Sequence, residues 1–275
     1  PIPMTALDFL GNIRVVLVRT SHPGNVGAAA RAMRTMGLSS LYLVAPERFP
    51  DAEATAMAAN ATALLEEARL CPTLDAALAG TVVQVAFTAR SRALSHAALP
   101  VREAAAAAVA PARSRPVALV FGNETYGLSN DEVIRCNRVA FIPSDPEFSS
   151  LNLAAAVQVA AYELWLAALL LVEKSVDKSV DKSVDETVEK RPDTAGTAAP
   201  NPVVEELAPH EDVERLFEHL EQSLYRSGFL QPGNPRRLLE RLRRLFARSG
   251  LEREEVNILR GMLASWDGTA GPHGR

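Results

Sequence analysis

The residues with the clearest chemical potential open an alanine-rich helix. Ser149, Ser150 and Asn152 stand between a proline-containing loop and that helix, and Ser150 can accept hydrogen bonds from the free amides of the first helical turn. The small side chains that follow allow another stretch of backbone to pass unusually close. A tight loop packed against a helix start suits a bound nucleoside-type ligand. A well-capped core helix is an equally good interpretation of this segment taken alone.

Two further polar loops follow predicted strands. The apolar run 13–18 leads into the turn 21–25 and then into a helix that carries Arg31, while the apolar run 116–121 leads into the loop 122–128. Nearly continuous apolar runs of this length are typical of strands buried on both faces. Because ligands of parallel sheets bind beyond the carboxyl ends of the strands, we expect these loops to border one site.

The alternation of strands and helices predicts the fold class. We expect strands at residues 13–18, 41–44, 81–87, 116–121 and 139–142, with helical segments between them. This order is typical of an α/β domain with a mostly parallel, doubly wound sheet. We assign 11–172 to this domain, 173–202 to a low-complexity linker whose start is compatible with a helix, and 203–268 to a small all-α domain. Its helices are predicted at 212–227, 235–248 and 257–266.

Charge is unevenly distributed along the chain. The net charge is −4, yet residues 13–37 and 226–248 are rich in arginine, whereas acidic residues concentrate in 173–193 and 205–221. All the lysines fall in the low-complexity linker. Arginine clusters on an acidic chain favour local phosphate contacts over indiscriminate binding to polyanions.

Several functional classes are disfavoured by what the sequence lacks. It has no G-x-G-x-x-G or Walker motif and no evident Ser/His/Asp or Cys/His nucleophile set. Cys71 and Cys136 form no metal-ligand cluster, so we predict no metal site and expect buried thiols in a reducing, cytoplasmic location. No leader-like segment is evident near the first residue. The apolar run 151–172 is long enough for a membrane, but Gln158 and Glu163 within it favour a buried core helix.

Three segments taken together resemble the SPOUT (SpoU–TrmD) class of RNA methyltransferases. They are Asn25–Arg31 with Gly37, Phe121–Leu128 and Ser149–Leu153, and their order on strand ends makes the resemblance specific. The match is closest to the TrmJ-type tRNA 2′-O-methyltransferases of this class, through residues 21–25, 89–92, 146–152 and 257–265. Asn123 and Thr125 are departures, because some bacterial members of that branch carry basic residues there.

The resemblance implies a fold and a cofactor. A member of this class has a parallel sheet with a deep trefoil knot in the C-terminal half of its catalytic domain, against the usual rule that chains do not thread loops. It also binds S-adenosylmethionine among three knot loops. The implied cofactor-binding residues are Phe87, Thr88, Ala89, Gly122, Glu124, Ile142, Ser149, Ser150, Leu151 and Asn152.

The implied reaction is methyl transfer from the sulfonium of S-adenosylmethionine to the 2′-hydroxyl of ribose 32 in the tRNA anticodon loop, on cytidine or uridine. A ribose hydroxyl is a poor nucleophile until its proton leaves or its developing charge is stabilised. Arg31 matches the catalytic arginine of the class. Because a guanidinium stays protonated, we expect Arg31 to clamp a phosphate and stabilise the alkoxide rather than act as a base. Asn25 would cap the helix that carries Arg31, and Ser150 would shape the site.

The resemblance also implies partners. The candidate RNA-binding residues are Arg31, Arg90, Arg92, Arg237, Arg241 and Arg244. The class forms homodimers with each site completed across the interface, and its TrmJ branch acts on tRNA, so neither DNA nor a membrane is expected as a partner. Two alternatives stay open: a knotted RNA-binding protein without catalysis, and a 2′-O-methyltransferase that acts on ribosomal RNA. The helical C-terminal domain favours tRNA by analogy alone.

Overall fold

The computed structural model describes residues 4–89, 98–184, 206–231 and 237–269. The strands are β1 (Ile13–Val18), β2 (Ser40–Val44), β3 (Arg69–Cys71), β4 (Val83–Phe87), β5 (Leu99–Pro100), β6 (Val117–Phe121) and β7 (Arg138–Phe141). The α-helices are α1 (Pro23–Thr35), α2 (Ala52–Ala58), α3 (Thr62–Glu66), α4 (Leu74–Leu78), α5 (Val101–Ala112), α6 (Asn130–Ile134), α7 (Leu153–Val184), α8 (His210–Arg226), α9 (Leu238–Ser249) and α10 (Arg253–Thr269). Short 3₁₀ segments cover Met4–Asn12 and Ala59–Ala61.

The strands form one parallel sheet in the order β3-β2-β1-β6-β4-β7-β5. The predicted α/β class and the expected strands are confirmed. The sequence analysis missed β3 and β5, because strands of three and two residues are too short to show a period. Helices α1, α5 and α7 pack on one face of the sheet, while α4 and α6 pack on the other. Both faces are therefore buried, which explains the continuous apolar runs.

The register brings three strand ends together at one edge of the sheet. Leu17 of β1 lies opposite Phe121 of β6, and Ala86 of β4 lies opposite Val120 of the same strand. The loops that leave β1, β4 and β6 therefore start side by side, as expected for the ligand edge of a parallel sheet.

Helix α7 begins differently from the prediction. Asn152, rather than Ser150, is the capping residue: its side-chain oxygen accepts hydrogen bonds from the amides of Ala154 at 2.9 Å and Ala155 at 3.3 Å. Ser150 lies two residues too early in the chain to reach those amides. The helix then runs to Val184, so the predicted linker is helical over its first residues.

The apolar part of α7 lies against helices α1 and α5 on one face of the sheet. The segment Leu153–Ser175 is long and apolar enough to cross a membrane, but it packs on α1 and α5, and Glu163 pairs with Arg102 at 3.0 Å. Only part of its surface is covered within one chain, since Tyr162 and Leu170 are about half exposed (47% and 56%). The helix therefore has an inner face on the core and an outer apolar face without cover among the described residues.

The last three helices form a small cluster of their own. Helices α8 and α10 pack through Leu216, Val256 and Leu263, with Ala208 at one end. Helix α9 has no fully buried residue, and Leu245 is 50% exposed.

This cluster docks on the amino ends of the strands, opposite the ligand edge. The amide of His210 donates to the carbonyl of Thr81 at 2.9 Å, and that of Gly80 donates to the carboxylate of Glu211 at 2.7 Å. On the α9 side, the guanidinium of Arg138 donates to the carbonyl of Ala247 at 2.8 Å. The helical cluster and the ligand edge are thus separated by the length of the strands, about 17 Å at 3.3 Å per residue.

One carboxylate organises this docking. Glu214 is almost fully buried and accepts hydrogen bonds from Arg135 at 2.6 Å and from Arg243 at 2.8 Å. The guanidinium of Arg243 also lies over the ring of Phe217, 4.3 Å from its centroid. Glu214 therefore joins Arg135 of the sheet-bearing unit to Arg243 of α9, and Arg243 is already paired within the helical cluster.

Candidate active site

A cleft opens at the ligand edge between the loops that follow β4, β6 and β7. Its volume is about 800 Å³ including the part open to solvent. The lining residues are Phe87, Thr88, Ala89, Phe121, Gly122, Asn123, Glu124, Thr125, Tyr126, Gly127, Ile142, Ser149, Ser150, Leu151, Leu153 and Ala156.

Most of the predicted cofactor-binding residues meet in this cleft. Phe87, Thr88, Ala89, Gly122, Glu124, Ile142, Ser149, Ser150 and Leu151 all line it. Asn152 does not line it but caps α7 behind it. The predicted RNA contacts Arg90 and Arg92 lie outside the described residues.

The inner wall of the cleft is apolar and tightly packed. The rings of Phe87 and Phe121 stack with centroids 4.5 Å apart. A Cβ on Gly122 would lie 2.2 Å from the carbonyl carbon of Gly127 and 2.2 Å from the amide nitrogen of Leu128. The loop thus folds backbone against backbone, which only glycine permits at this position.

Glu124 ties the β6 loop to the start of α1. Its carboxylate accepts hydrogen bonds from the amide and the hydroxyl of Ser21 at 3.0 and 2.9 Å, from the amide of His22 at 3.3 Å and from the side chain of Asn25 at 2.9 Å. Burial alone would raise the pKa of Glu124, but these hydrogen bonds outweigh it and hold the pKa below its usual value. A negative charge is therefore fixed at the amino end of a helix, where it is favourable.

Asn25 does not cap α1 as predicted. The helix begins at Pro23, the capping position belongs to His22, and no side chain caps it within the chain segment itself. Asn25 is the third residue of the helix, within its first turn, and bridges two loops instead: its amide group donates to Glu124, and its oxygen accepts from Asn152 at 2.9 Å. Glu124, from a distant loop, accepts from the amides of Ser21 and His22, which precede the first helical residue, a long-range contact that no local sequence signal indicates.

The sequence analysis missed a second link to the same loop. The side chain of Asn123 donates to the carbonyl of Arg19 at 2.8 Å, and the guanidinium of Arg19 forms a two-pronged pair with Glu132 of α6. Arg19 adopts a left-handed backbone conformation, with φ of 51°. Asn123, which stands where some members of the branch carry a basic residue, thus has a structural role. Its position next to Glu124 in the sequence was the available signal for this role.

Arg31 is exposed on α1, and among the described residues it has neither a hydrogen bond nor an ion pair. It follows Asn25 by six residues, about 9 Å along the helix axis. It is not part of the cleft wall formed by its own chain. Within one chain, neither Asn25 nor Arg31 lines the cleft, but Asn25 is hydrogen-bonded to the lining residue Glu124.

Replacing Glu124 with Gln should weaken the fold and alter its acid sensitivity. In the native protein Glu124 titrates below its unfolded value of about 4.3, so the unfolded chain binds more protons between these two pKa values, and stability falls as the pH is lowered through that window. We expect Glu124→Gln to lower the unfolding free energy at pH 7 by about 1–3 kcal/mol and to flatten its decline between about pH 5 and pH 3. Urea titrations at several pH values measure both effects. An unchanged pH profile would contradict the assigned hydrogen bonds.

Comparison with known proteins identifies the family of this chain. Residues 12–162 match the model of the SpoU rRNA Methylase family, and residues 211–274 match the tRNA methyltransferase TrmJ, C-terminal domain. The chain belongs to the TrmJ branch of the SpoU methylases. The α/β sheet with a small helical C-terminal region is the fold expected of this branch, while the trefoil knot stays a prediction.

TrmJ relatives cover nearly the whole chain. The tRNA (cytidine/uridine-2′-O-)-methyltransferase TrmJ of Klebsiella pneumoniae is 46% identical over 260 residues, with 94% of this chain and 97% of the relative covered. The protein of the same description from Citrobacter koseri is 47% identical, with 94% and 97% covered. Among solved structures, TrmJ from Z. mobilis has a TM-score of 0.72 at 30% identity, with 92% of this chain and 98% of that one covered.

Proposed function

We propose that this methyltransferase moves the methyl group of S-adenosylmethionine to the 2′-hydroxyl of cytidine or uridine 32 in the anticodon loop of tRNA, in the cytoplasm. The observation that carries the proposal is the near full-length identity of 46% to a relative described as a tRNA (cytidine/uridine-2′-O-)-methyltransferase. A cleft at the ligand edge, lined by most of the predicted cofactor-binding residues, supports it. We keep 11–172 as the catalytic domain, 173–202 as the linker and 203–268 as the helical domain.

The cleft residues fit S-adenosylmethionine in chemical type. Phe87, Ile142 and Leu151 offer apolar surface to an adenine ring, and the close-packed backbone at Gly122 leaves room beside the loop. Ser149 and Ser150 offer hydroxyl groups for polar parts of the ligand. When bound, S-adenosylmethionine supplies an electrophilic methyl group on a sulfonium.

Arg31 would act on the acceptor side of this reaction. As a permanent cation it would bind the phosphate beside the target ribose and stabilise the negative charge that develops on the 2′-oxygen. Holding the hydroxyl in line with the methyl group would supply much of the rate. Asn25, anchored by Glu124 and Asn152, would fix the start of the helix that carries Arg31.

A homodimer reconciles this role with the position of Arg31 outside its own cleft. In the proposed dimer, Arg31 of one subunit completes the cleft of the other. The outer face of α7, with Tyr162 and Leu170 half exposed, provides apolar surface for such an interface. The functional unit would then be a closed pair with two composite sites.

The remaining arginines would position tRNA by phosphate contact. Arg90 and Arg92 follow the cleft residue Ala89 in sequence, so they would meet phosphates near the target nucleotide. Arg237, Arg241 and Arg244 belong to the unit at the opposite edge of the sheet. They would therefore grip a part of the tRNA remote from the nucleotide in the same subunit's cleft.

Methyl transfer from labelled S-adenosylmethionine tests the proposal. We expect incorporation into tRNA that maps to ribose 32, and none into DNA. Calorimetric titration with S-adenosylmethionine separates this activity from plain RNA binding, since a protein that only binds RNA need not take up the cofactor. Incorporation into ribosomal RNA alone, or failure to bind S-adenosylmethionine, would contradict it.

A further inference from the structure

Two aromatic side chains beside the cleft are highly exposed to solvent. Phe148 and Tyr126 are 82% and 73% exposed, the two highest values among the large apolar residues described between 4 and 175. Both belong to loops that line the cleft: Tyr126 lies in its wall, and Phe148 directly precedes the lining residue Ser149. Leaving rings of this size in water forgoes the burial that normally stabilises them.

The turn that carries Tyr126 is held by its own hydrogen bonds. The amide of Gly127 donates to the carbonyl of Asn123 at 2.8 Å, and the side-chain oxygen of Asn123 accepts from the amides of Thr125 and Tyr126 at 2.8 and 3.2 Å. The other end of the Asn123 side chain is bound to Arg19. The ring of Tyr126 thus projects from a fixed turn.

The turn that carries Phe148 is built in a similar way. The amide of Phe148 donates to the carbonyl of Asp145 at 3.1 Å, and the amide of Glu147 donates to the Asp145 carboxylate at 2.9 Å. The hydroxyl of Ser144 closes the loop by donating to the carbonyl of Ser149 at 3.2 Å. Two separate loops therefore present an aromatic ring outward beside one cleft.

The residue types of these loops exclude phosphate as their target. Residues 122–128 and 143–152 contain no lysine or arginine, and the acidic residues Asp145 and Glu147 precede Phe148. A phosphate would be repelled there, whereas the uncharged face of a nucleobase would not. Aromatic side chains stack on unpaired bases of any identity, which is how single-stranded loops are commonly held.

We propose that Tyr126 and Phe148 are stacking surfaces for unpaired bases of the RNA loop that contains the target ribose. The proposal rests on the proposed function, because it takes the acceptor to be an RNA loop. Stacking at this place would hold the target nucleotide against the cleft without reading its base. Asn123 and Thr125 replace the basic residues of some members of the branch. This loop would then bind RNA by stacking of Tyr126 on a base instead of by ionic contacts with phosphates.

The test compares RNA affinity in full-length variants. We expect Tyr126→Ala and Phe148→Ala each to raise the Kd for tRNA by about 5- to 150-fold, with Tyr126→Phe and Phe148→Tyr close to the wild-type value. Phe229→Ala is the matched control, because Phe229 is equally exposed (73%) but lies after α8, away from the cleft. Fluorescence anisotropy with labelled tRNA measures Kd whether or not methyl transfer occurs, so failure of the enzymatic activity would be seen separately.

Two further readouts make the outcome decisive. The Kd for S-adenosylmethionine, measured by calorimetry, and the molar mass in solution should both match the wild type in every variant. Unchanged tRNA affinity in both alanine variants would overturn the proposal. So would a fall in molar mass, since it would assign the rings to an interface between two copies of the chain.

Discussion

Arg31→Ala should abolish most methyl transfer while leaving the protein folded and able to bind S-adenosylmethionine. Arg31 is exposed and forms no hydrogen bond or ion pair with the described residues, so stability should change little. Loss of a charge that stabilises the developing alkoxide should lower kcat about 10²- to 10³-fold. Single-turnover methylation of tRNA measures this effect directly.

Arg34→Ala is the matched control for Arg31, because Arg34 is exposed on the same helix one turn later. We expect it to keep near wild-type kcat. Arg31→Lys should recover only part of the methyl-transfer rate, since lysine keeps the positive charge but lacks the planar guanidinium group with its several N–H donors. Equal losses in the Arg31 and Arg34 alanine variants would contradict a specific role for Arg31.

Gly122→Ala should remove cofactor binding and destabilise the catalytic domain. The added methyl group would lie 2.2 Å from backbone atoms of the same loop, much closer than real Cβ contacts allow, and those atoms cannot rotate away. Forcing the loop open should cost about 1–3 kcal/mol or more and move the cleft wall. Calorimetry with S-adenosylmethionine and thermal unfolding measure the two effects.

Gly261→Ala provides the control, because no atom outside its own helical turn lies within 4 Å of the added methyl group. Alanine within helix α10 should be neutral or stabilising by up to about 1 kcal/mol. If Gly122→Ala bound S-adenosylmethionine as tightly as the wild type, the cleft would not be the cofactor site.

Patterns that repeat within a short stretch of sequence predicted much of the fold. The continuous apolar run 13–18 predicted β1. The helical spacing of Val26 and Met33, with Arg31 on the exposed side, predicted α1, because the buried residues of a helix recur with its period. The loops around the cleft follow recognisable strands, whereas its cofactor-binding residues were predicted from the family resemblance.

What the sequence did not predict depends on contacts between distant segments. Ser150 and Asn152 are both suitable capping residues, and only the packed loop decides that Asn152 caps α7. The segment that leads into α1 is held by Glu124, about a hundred residues away in the chain, which accepts from the amide of Ser21. The arginine-rich pattern of 226–248 did not indicate that Arg243 pairs with Glu214 of α8. No local period encodes such partners.

Mixing two inactive variants tests the central claim, that one subunit's Arg31 acts at the other subunit's cleft. Arg31→Ala lacks the cation but keeps the cleft, whereas Gly122→Ala keeps the cation but lacks the cleft; the cleft-filling variant Ser149→Trp can replace the latter if it does not fold. When equal amounts exchange subunits, half of the dimers are mixed and each mixed dimer has one complete site, so about a quarter of the wild-type rate should return. No recovery, in a mixture whose subunit exchange is verified with tagged chains, would contradict the account.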